Sequence, residues 1–334
     1  MNSLEAVRRY DSAAIMRGRR EHGVRPCAVQ PRDLEIVDAV RRHKFLTAPQ
    51  LLELWWPGGA AQVGRRRLKV LFEAGLLDRF RPVAIRGSFP WTYQLAREGH
   101  RMLQDVGLVA RGKRFEVQEV YDYRYVLHEI HLNAWSIAWR QLVGDAMVSW
   151  DGETLIDPPG GLGKPPLDLD GGFTADGLKD TYAKQLRPDD VIEVTRDDGM
   201  IGTFFIEYDR TRRVDKNFEK FRRYDSFLCW WSHFSEYRSL ARPPVIVFVC
   251  QDDEHLDLFL DAADHELTGH HFHPYGQRSH EHYIGRRKIT FAVEADMHQG
   301  DPTVYRVPNY PPGDDRRDNV YNEARLPGSS ANDG

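Results

Sequence analysis

The chain has 334 residues, of which 41% are hydrophobic. At roughly 150 residues per domain this predicts two folded domains, and it excludes a disordered or collagen-like protein. The net charge of −4 hides an asymmetry, because residues 1–114 carry 22 basic and 11 acidic side chains (+11) whereas residues 115–334 carry 24 and 39 (−15). A basic front half predicts a polyanionic partner.

The sequence gives no indication of a membrane or secreted protein. The longest apolar run, Val245 to Cys250, is too short to cross a bilayer, and the basic N-terminus lacks the apolar stretch of a signal peptide. Cys27, Cys229 and Cys250 are odd in number and have no CxxC spacing, which fits a reducing compartment. We therefore expect a cytoplasmic protein with no membrane partner.

Composition divides the chain into four segments. Residues 1–30 are basic and poor in large apolar groups, which predicts a flexible arm. A first domain is expected over residues 31–105 and a second over 115–305, with a Gly/Pro-rich insertion at 151–187. Residues 308–334 are rich in Pro, Gly, Asp and Asn, which predicts a disordered tail.

The first domain has the element order of a winged helix-turn-helix. Pro31-Arg-Asp33 opens one helix, and Thr47-Ala-Pro-Gln caps a second. A third helix is predicted over residues 60–74, and two short strands follow it around a loop that contains Arg86. Three helices followed by a β-hairpin predict a winged helix.

The third helix carries basic residues on one side. Val63, Val70, Leu71 and Ala74 are assigned to the apolar side, and Arg67 is expected near it, where it would pair or extend toward solvent. The predicted DNA-binding residues are Gln62, Arg65, Arg66 and Lys69 on this helix and Arg79, Arg81 and Arg86 on the hairpin. The alternative is a protein-docking winged helix with an ordinary charged surface. The net charge of +8 over residues 31–114 favours DNA.

The second domain is predicted to have the order α-β-β-β-α-β and to carry a set of acids. Asp189 lies at the entry of one strand, and Glu207 and Asp209 are two apart near the end of the next, which puts both carboxylates on one strand face. Glu129 could approach from the preceding helix. Oxygen ligands of this kind suit Mg²⁺ or Mn²⁺, which can orient a water and stabilise charge on a phosphate. The alternative is that Glu207 and Asp209 pair with Arg210, Arg212 and Arg213, and that Pro188-Asp-Asp is an ordinary turn.

These residues resemble the PD-(D/E)xK nuclease superfamily. Pro188-Asp189 matches its "PD" and Glu207 its "(D/E)", whereas Asp209 occupies the place of the Lys. Lys220, with Tyr224 one turn further on, lies where some members carry a helix residue that replaces it. The chain from about residue 31 to residue 300 is similar to the replication-relaxation family of bacterial plasmids and mobile elements, which joins a winged helix to such a domain. The resemblance implies an α+β or α/β two-domain fold with a restriction-endonuclease-like second domain.

Three functional hypotheses follow from these features. The leading one is a DNA-binding protein of a plasmid or mobile element that acts in replication, mobilisation or their regulation. The second is an Mg²⁺- or Mn²⁺-dependent endonuclease, with Asp189, Glu207, Asp209 and Lys220 as catalytic residues and Glu129, Asp189, Glu207 and Asp209 as metal ligands. The third is a transcriptional regulator whose nuclease-like domain is a scaffold. Double-stranded DNA is the expected partner in each case, with other replication or mobilisation proteins and a homodimer as further expectations.

Overall fold

The fold is mixed α/β and forms two compact units, Met1–Ile137 and Ala138–Gly334. The computed structural model describes residues 10–21, 23–84, 88–120, 122–157, 185–210, 214–232, 235–240, 242–267, 284–308 and 322–327. Arg86, Arg212, Arg213 and most of the 151–187 insertion lie outside these ranges. Within the ranges, no helix is both long and apolar enough to cross a membrane.

The first unit contains three helices, a small sheet and a fourth helix. In chain order its elements are β1 (Tyr10–Arg17), α1 (Pro31–Arg42), β2 (Leu46–Thr47), α2 (Ala48–Trp55), α3 (Ala61–Glu73), β3 (Leu77–Ala84), β4 (Thr92–Leu95) and α4 (Arg97–Asp105), and α5 (Tyr123–Val143) begins in it. The strands pair antiparallel in the order β1-β3-β4-β2.

Local sequence explains where two of these helices begin. Asp33 accepts a hydrogen bond from the Gln30 backbone N–H at the start of α1, at 2.7 Å. At the start of α2 the Thr47 hydroxyl accepts a bond from the Gln50 N–H, and the Gln50 side chain accepts one from the Thr47 N–H at 2.9 Å. The predicted Thr47 cap is confirmed.

A glycine lets two helices of the first unit approach closely. A Cβ added at Gly64 of α3 would lie 2.3 Å from Cδ2 of Leu52 and 2.7 Å from the ring of Trp56. The small residue therefore sits where α3 packs against the end of α2, above a core that includes Leu51, Leu68 and Leu71.

The N-terminal segment differs from the predicted flexible arm. Residues 10–17 form strand β1, which pairs with β3 with a register shift between Asp11 and Ile15. The Arg20 guanidinium, three residues after the strand, donates a 2.5 Å hydrogen bond to the Asp78 carboxylate of β3. The strand adds an outer edge to the sheet, and its backbone groups are satisfied by partners 63 to 74 residues away in sequence, which local composition does not reveal.

The second unit is built on one seven-stranded sheet. After the end of α5 its elements are β5 (Met147–Trp150), β6 (Asp190–Thr195), β7 (Ile201–Tyr208), α6 (Val214–Ser226), β8 (Val245–Cys250), α7 (Asp253–Glu266), α8 (Ile284–Lys288), β9 (Ile289–Val293), α9 (Glu294–His298), β10 (Thr303–Arg306) and β11 (Asn322–Arg325). The strand order is β11-β10-β9-β8-β7-β6-β5, and β7, β8 and β9 are mutually parallel.

Alternation along the central strands separates the two faces of this sheet. Phe205, Ile246 and Phe248 belong to a core that includes Phe221 of α6 and Phe259 of α7. Phe204 points to the other face and makes an edge-to-face contact with Trp139 of α5. The second unit also contains a strand where a disordered tail is predicted, since β11 pairs with β10 over residues 322–325.

Candidate nucleic-acid interface and acidic cluster

One side of α3 is exposed and basic. Gln62, Arg65, Arg66 and Lys69 are all exposed, and within the described ranges no hydrogen bond or ion pair engages their side chains. The opposite side is buried through Gly64, Leu68, Leu71 and Phe72. We call the exposed side the α3 surface. It presents three positive charges that no carboxylate in the described part of the chain neutralises.

Two valines lie on the α3 surface and not in the core, contrary to the predicted apolar side. Val63 is 60% exposed and Val70 is 37% exposed. Each residue of an α-helix is rotated by about 100° from the one before it, which places both valines beside Arg66. The buried side, centred on Gly64, Leu68 and Leu71, faces away from them. The spacing of Leu68, Leu71 and Phe72 does mark the buried side, and the prediction was wrong because it assigned Val63 and Val70 to that side as well.

Arg67 is held inside the first unit, as its position near the apolar side predicts. Its Nε donates to Asp33 Oδ1 at 2.9 Å, and the Asp33 side chain is fully buried. The hydrogen bond with Asp33 raises the pKa of Arg67. This pair ties the start of α1 to α3 and so fixes the orientation of the α3 surface.

The two described hairpin arginines lie against aromatic rings. The Arg79 guanidinium is 4.2 Å from the ring centroid of Phe72 and 4.5 Å from that of Trp91, and the Arg81 guanidinium is 4.5 Å from Trp91. Such cation–π contacts hold both side chains on the hairpin. The described side chains that are predicted to bind DNA are therefore of two kinds. Those on α3 are exposed to solvent, and those on the hairpin are stacked on aromatic rings.

The second unit brings most of the predicted acidic site together at the end of β7. Lys220 of α6 donates to Glu207 Oε2 at 2.5 Å, and the Tyr224 hydroxyl donates to Glu207 Oε1 at 2.5 Å. Asp189 accepts a 2.8 Å bond from the Tyr208 backbone N–H. We call Asp189, Glu207, Asp209, Lys220 and Tyr224 the acidic cluster.

The pKa shifts in the acidic cluster follow from burial and from its charges. Burial raises the pKa of Glu207 to about 7, with Lys220 lowering it and Asp189 raising it. Burial alone would lower the pKa of Lys220, but the charges of Glu207, Asp189 and Asp209 raise it. Burial also raises the pKa of Tyr224. These shifts agree with the 2.5 Å contact that pairs Glu207 with Lys220.

The central ligand of the predicted Mg²⁺ or Mn²⁺ site, Glu207, is engaged by two protein donors. Both oxygens of Glu207 already accept hydrogen bonds, and the described residues contain no group of three or more His, Cys, Asp or Glu side chains placed to hold a metal ion. Glu129, the predicted fourth ligand, lies in the first unit, where it accepts a 2.9 Å bond from Lys44.

The neighbouring Asp190 has a structural role that the sequence did not indicate. Its side chain is fully buried and accepts bonds from Trp150 Nε1 at 2.5 Å and from the Gly152 N–H at 2.9 Å. The Asp190 carboxylate therefore anchors β5 to β6, whereas the Asp189 carboxylate lies in the acidic cluster. The sequence shows two adjacent acids before a strand and does not indicate which of them has which role.

Comparison with known proteins identifies the family. No curated protein and no solved structure matches the chain. A sequence model described as replication-relaxation matches residues 38–237, which is more than half of the 334 residues. The chain therefore belongs to the replication-relaxation family.

Proposed function

We propose that this chain is a DNA-binding protein that acts in the replication or mobilisation of a plasmid or mobile element, or in their control. In this proposal the first unit is a winged helix, α3 is the helix that enters the major groove, and the β3–β4 hairpin is the wing. The family supports a replication-related role. The observation that carries DNA binding is the α3 surface, where Arg65, Arg66 and Lys69 are exposed and unpaired within the described ranges.

The charge of the α3 surface favours a duplex over a protein partner. Cations that already have carboxylate partners gain little from a phosphate, whereas these three have none among the described residues. Gln62, at the N-terminal end of the same surface, has the amide groups that can read an adenine edge, and Val63 can contact a thymine methyl group. The proposal therefore assigns phosphate contacts to the cations and sequence preference to Gln62 and Val63.

The test is the salt dependence of duplex binding by the full-length chain. Fluorescence anisotropy with a labelled duplex between 50 and 200 mM salt should give a steep negative slope of log affinity against log salt. Each phosphate contact contributes about −0.9 to this slope, so the R65A/R66A/K69A variant should lose about 2.7 from its magnitude.

The matched control removes three exposed arginines elsewhere in the first unit. The R97A/R101A/R111A variant has the same change in net charge but leaves the α3 surface intact. It should retain most of the slope. If both triple variants lose the same amount, the cations act only through overall charge, and α3 has no special role.

We do not extend the proposal to a metal-dependent nuclease, since Lys220 and the Tyr224 hydroxyl already donate to both oxygens of Glu207. We assign the second unit a scaffold role in DNA transactions. A transcriptional regulator would use the same α3 surface, and footprinting would separate the two cases: protection beside a promoter favours regulation, and protection at a replication or transfer origin favours the proposal.

A further inference from the structure

A small cavity in the second unit is lined by cations. Its volume is about 150 Å³, and it lies where β8 and β9 begin, beside Val245 and Thr290. The described residues that line it include five basic side chains and no acidic one. The basic residues are Arg196, Arg287, Lys288, Arg306 and Arg325. We call this site the basic cavity.

The basic cavity is separate from the acidic cluster. Phe204 lines the cavity, whereas Glu207, three residues further along β7, points to the opposite face of the sheet. The strand register places Phe204 beside Val245 at the start of β8 and Glu207 beside Phe248 further along it. The two sites therefore differ in both face and position.

The cations of the basic cavity have no carboxylate partner among the described residues. Across the described ranges, no ion pair joins any of the five side chains to a carboxylate, although residues 115–334 carry a net charge of −15. Burial lowers the pKa of Lys288, and the charges of Arg196, Arg242, Arg287 and Arg306 lower it further. Like charges held this close repel one another, and a bound anion would relieve that repulsion.

We propose that the basic cavity binds a phosphodiester group of a DNA strand. Four of its five cations are arginines, whose planar guanidinium groups match phosphate oxygens in a two-pronged geometry. The cavity is smaller than the roughly 300–1,000 Å³ of sites that enclose drug-sized ligands, which suits one phosphate group of a strand that continues outside it. The choice of DNA among phosphate-bearing ligands rests on the proposed function.

The experiment uses the full-length chain carrying R65A/R66A/K69A, so that binding through α3 is suppressed. Anisotropy of a labelled single-stranded oligonucleotide at low salt then measures the remaining affinity. Adding R287A/R306A should weaken it about tenfold. The salt slope should also lose about 1.4, at about 0.7 for each of two contacts.

Two controls separate this site from general effects. R187A/R223A removes two arginines that lie outside the cavity and pair with Glu153 and Glu219, and it should leave the affinity unchanged. Thermal unfolding of R287A/R306A should not begin at a lower temperature than that of the parent, because the substitution relieves repulsion. The oligonucleotide should raise the unfolding temperature of the parent and not that of R287A/R306A.

Two outcomes would overturn the inference, and a third would overturn only the proposed role of α3. Equal losses in R287A/R306A and R187A/R223A would show that the cavity has no special role. A rise in unfolding temperature with ATP or inorganic phosphate, but not with the oligonucleotide, would assign the cavity to a free phosphate compound. If R65A/R66A/K69A leaves duplex binding intact in the otherwise unchanged chain while R287A/R306A reduces it, the proposed role of α3 fails and this inference stands.

Discussion

Replacing Lys220 by Met should destabilise the protein in a pH-dependent way. The pKa of Glu207 is raised from 4.5 to about 7, so the folded state binds a proton there more tightly than the unfolded state does. The stability from this group is therefore complete below about pH 4.5 and is lost as the pH rises through about 7. The difference of about 2.5 between the two pKa values corresponds to roughly 3 kcal/mol.

The Lys220 charge lowers the pKa of Glu207, so its removal should raise that pKa above 7. At pH 5 the Glu207 carboxyl is protonated in either protein, and Lys220→Met should cost the lost hydrogen bond, about 1 kcal/mol, together with the attraction between Lys220 and the charges of Asp189 and Asp209. At pH 8 the unmodified protein keeps an ionised Glu207 paired with Lys220, whereas the variant must protonate it or bury it unpaired. The cost should therefore grow by about 1–2 kcal/mol between pH 5 and pH 8.

Urea unfolding at several pH values measures this directly. The control is Lys220→Met in a Glu207→Gln background, where no titratable group remains at position 207 while Asp189 and Asp209 are kept. The cost of Lys220→Met should then be nearly independent of pH. A cost that is the same at pH 5 and pH 8 in the original background would refute the reasoning, because it would mean that Lys220 does not act through the ionisation of Glu207.

Three further predictions concern packing, the buried ion pair and cleavage. Asp33→Asn should cost about 3–5 kcal/mol in urea unfolding, because it leaves Arg67 without its buried partner, whereas Asp38→Asn at a partly exposed pair should cost under about 1 kcal/mol. Gly64→Ala should cost about 1–3 kcal/mol through its clash with Leu52 and Trp56, and Gly112→Ala, where the added Cβ meets no atom within 4 Å, should be nearly neutral by the same measurement. Supercoiled plasmid incubated with the protein and Mg²⁺ or Mn²⁺ should remain uncut, and nicking that disappears in Glu207→Ala would contradict our assignment of the acidic cluster.

Local sequence patterns predicted the elements of the first unit well. The third helix was expected over residues 60–74 and is found at Ala61–Glu73, and the Thr47 cap is present. Both depend on interactions within a few residues of each other, which a pattern can represent. Strand β1 was missed because its hydrogen-bond partners lie in β3, and an edge strand needs no apolar alternation of its own.

The orientation of α3 was predicted correctly for its cations and wrongly for two of its valines. Leu68, Leu71 and Phe72 recur at helical spacing and mark the buried side, which Gly64 continues at the closest helix approach. Val63 and Val70 were assigned to that side although they lie on the exposed one. The error is a rotation of the apolar side by one or two positions, and it left the basic residues exposed as expected. The exposure of the candidate DNA-binding side chains was therefore predicted correctly, whereas the positions of the two valines beside them were assigned wrongly.

The basic cavity shows why charge counts over long segments have limited power. Its five cations are spread over residues 196–325, within a half of the chain whose net charge is −15, and the pairing of the strands from β6 to β11 brings them together. A net charge sums over a surface, whereas a phosphate responds to the groups within a few ångströms, where Coulomb energies are largest. In the proposed function, the division into a basic front and an acidic back therefore predicts where DNA would first approach. It does not predict that the second unit repels DNA, because a strand phosphate at the basic cavity would meet cations that no described carboxylate shields.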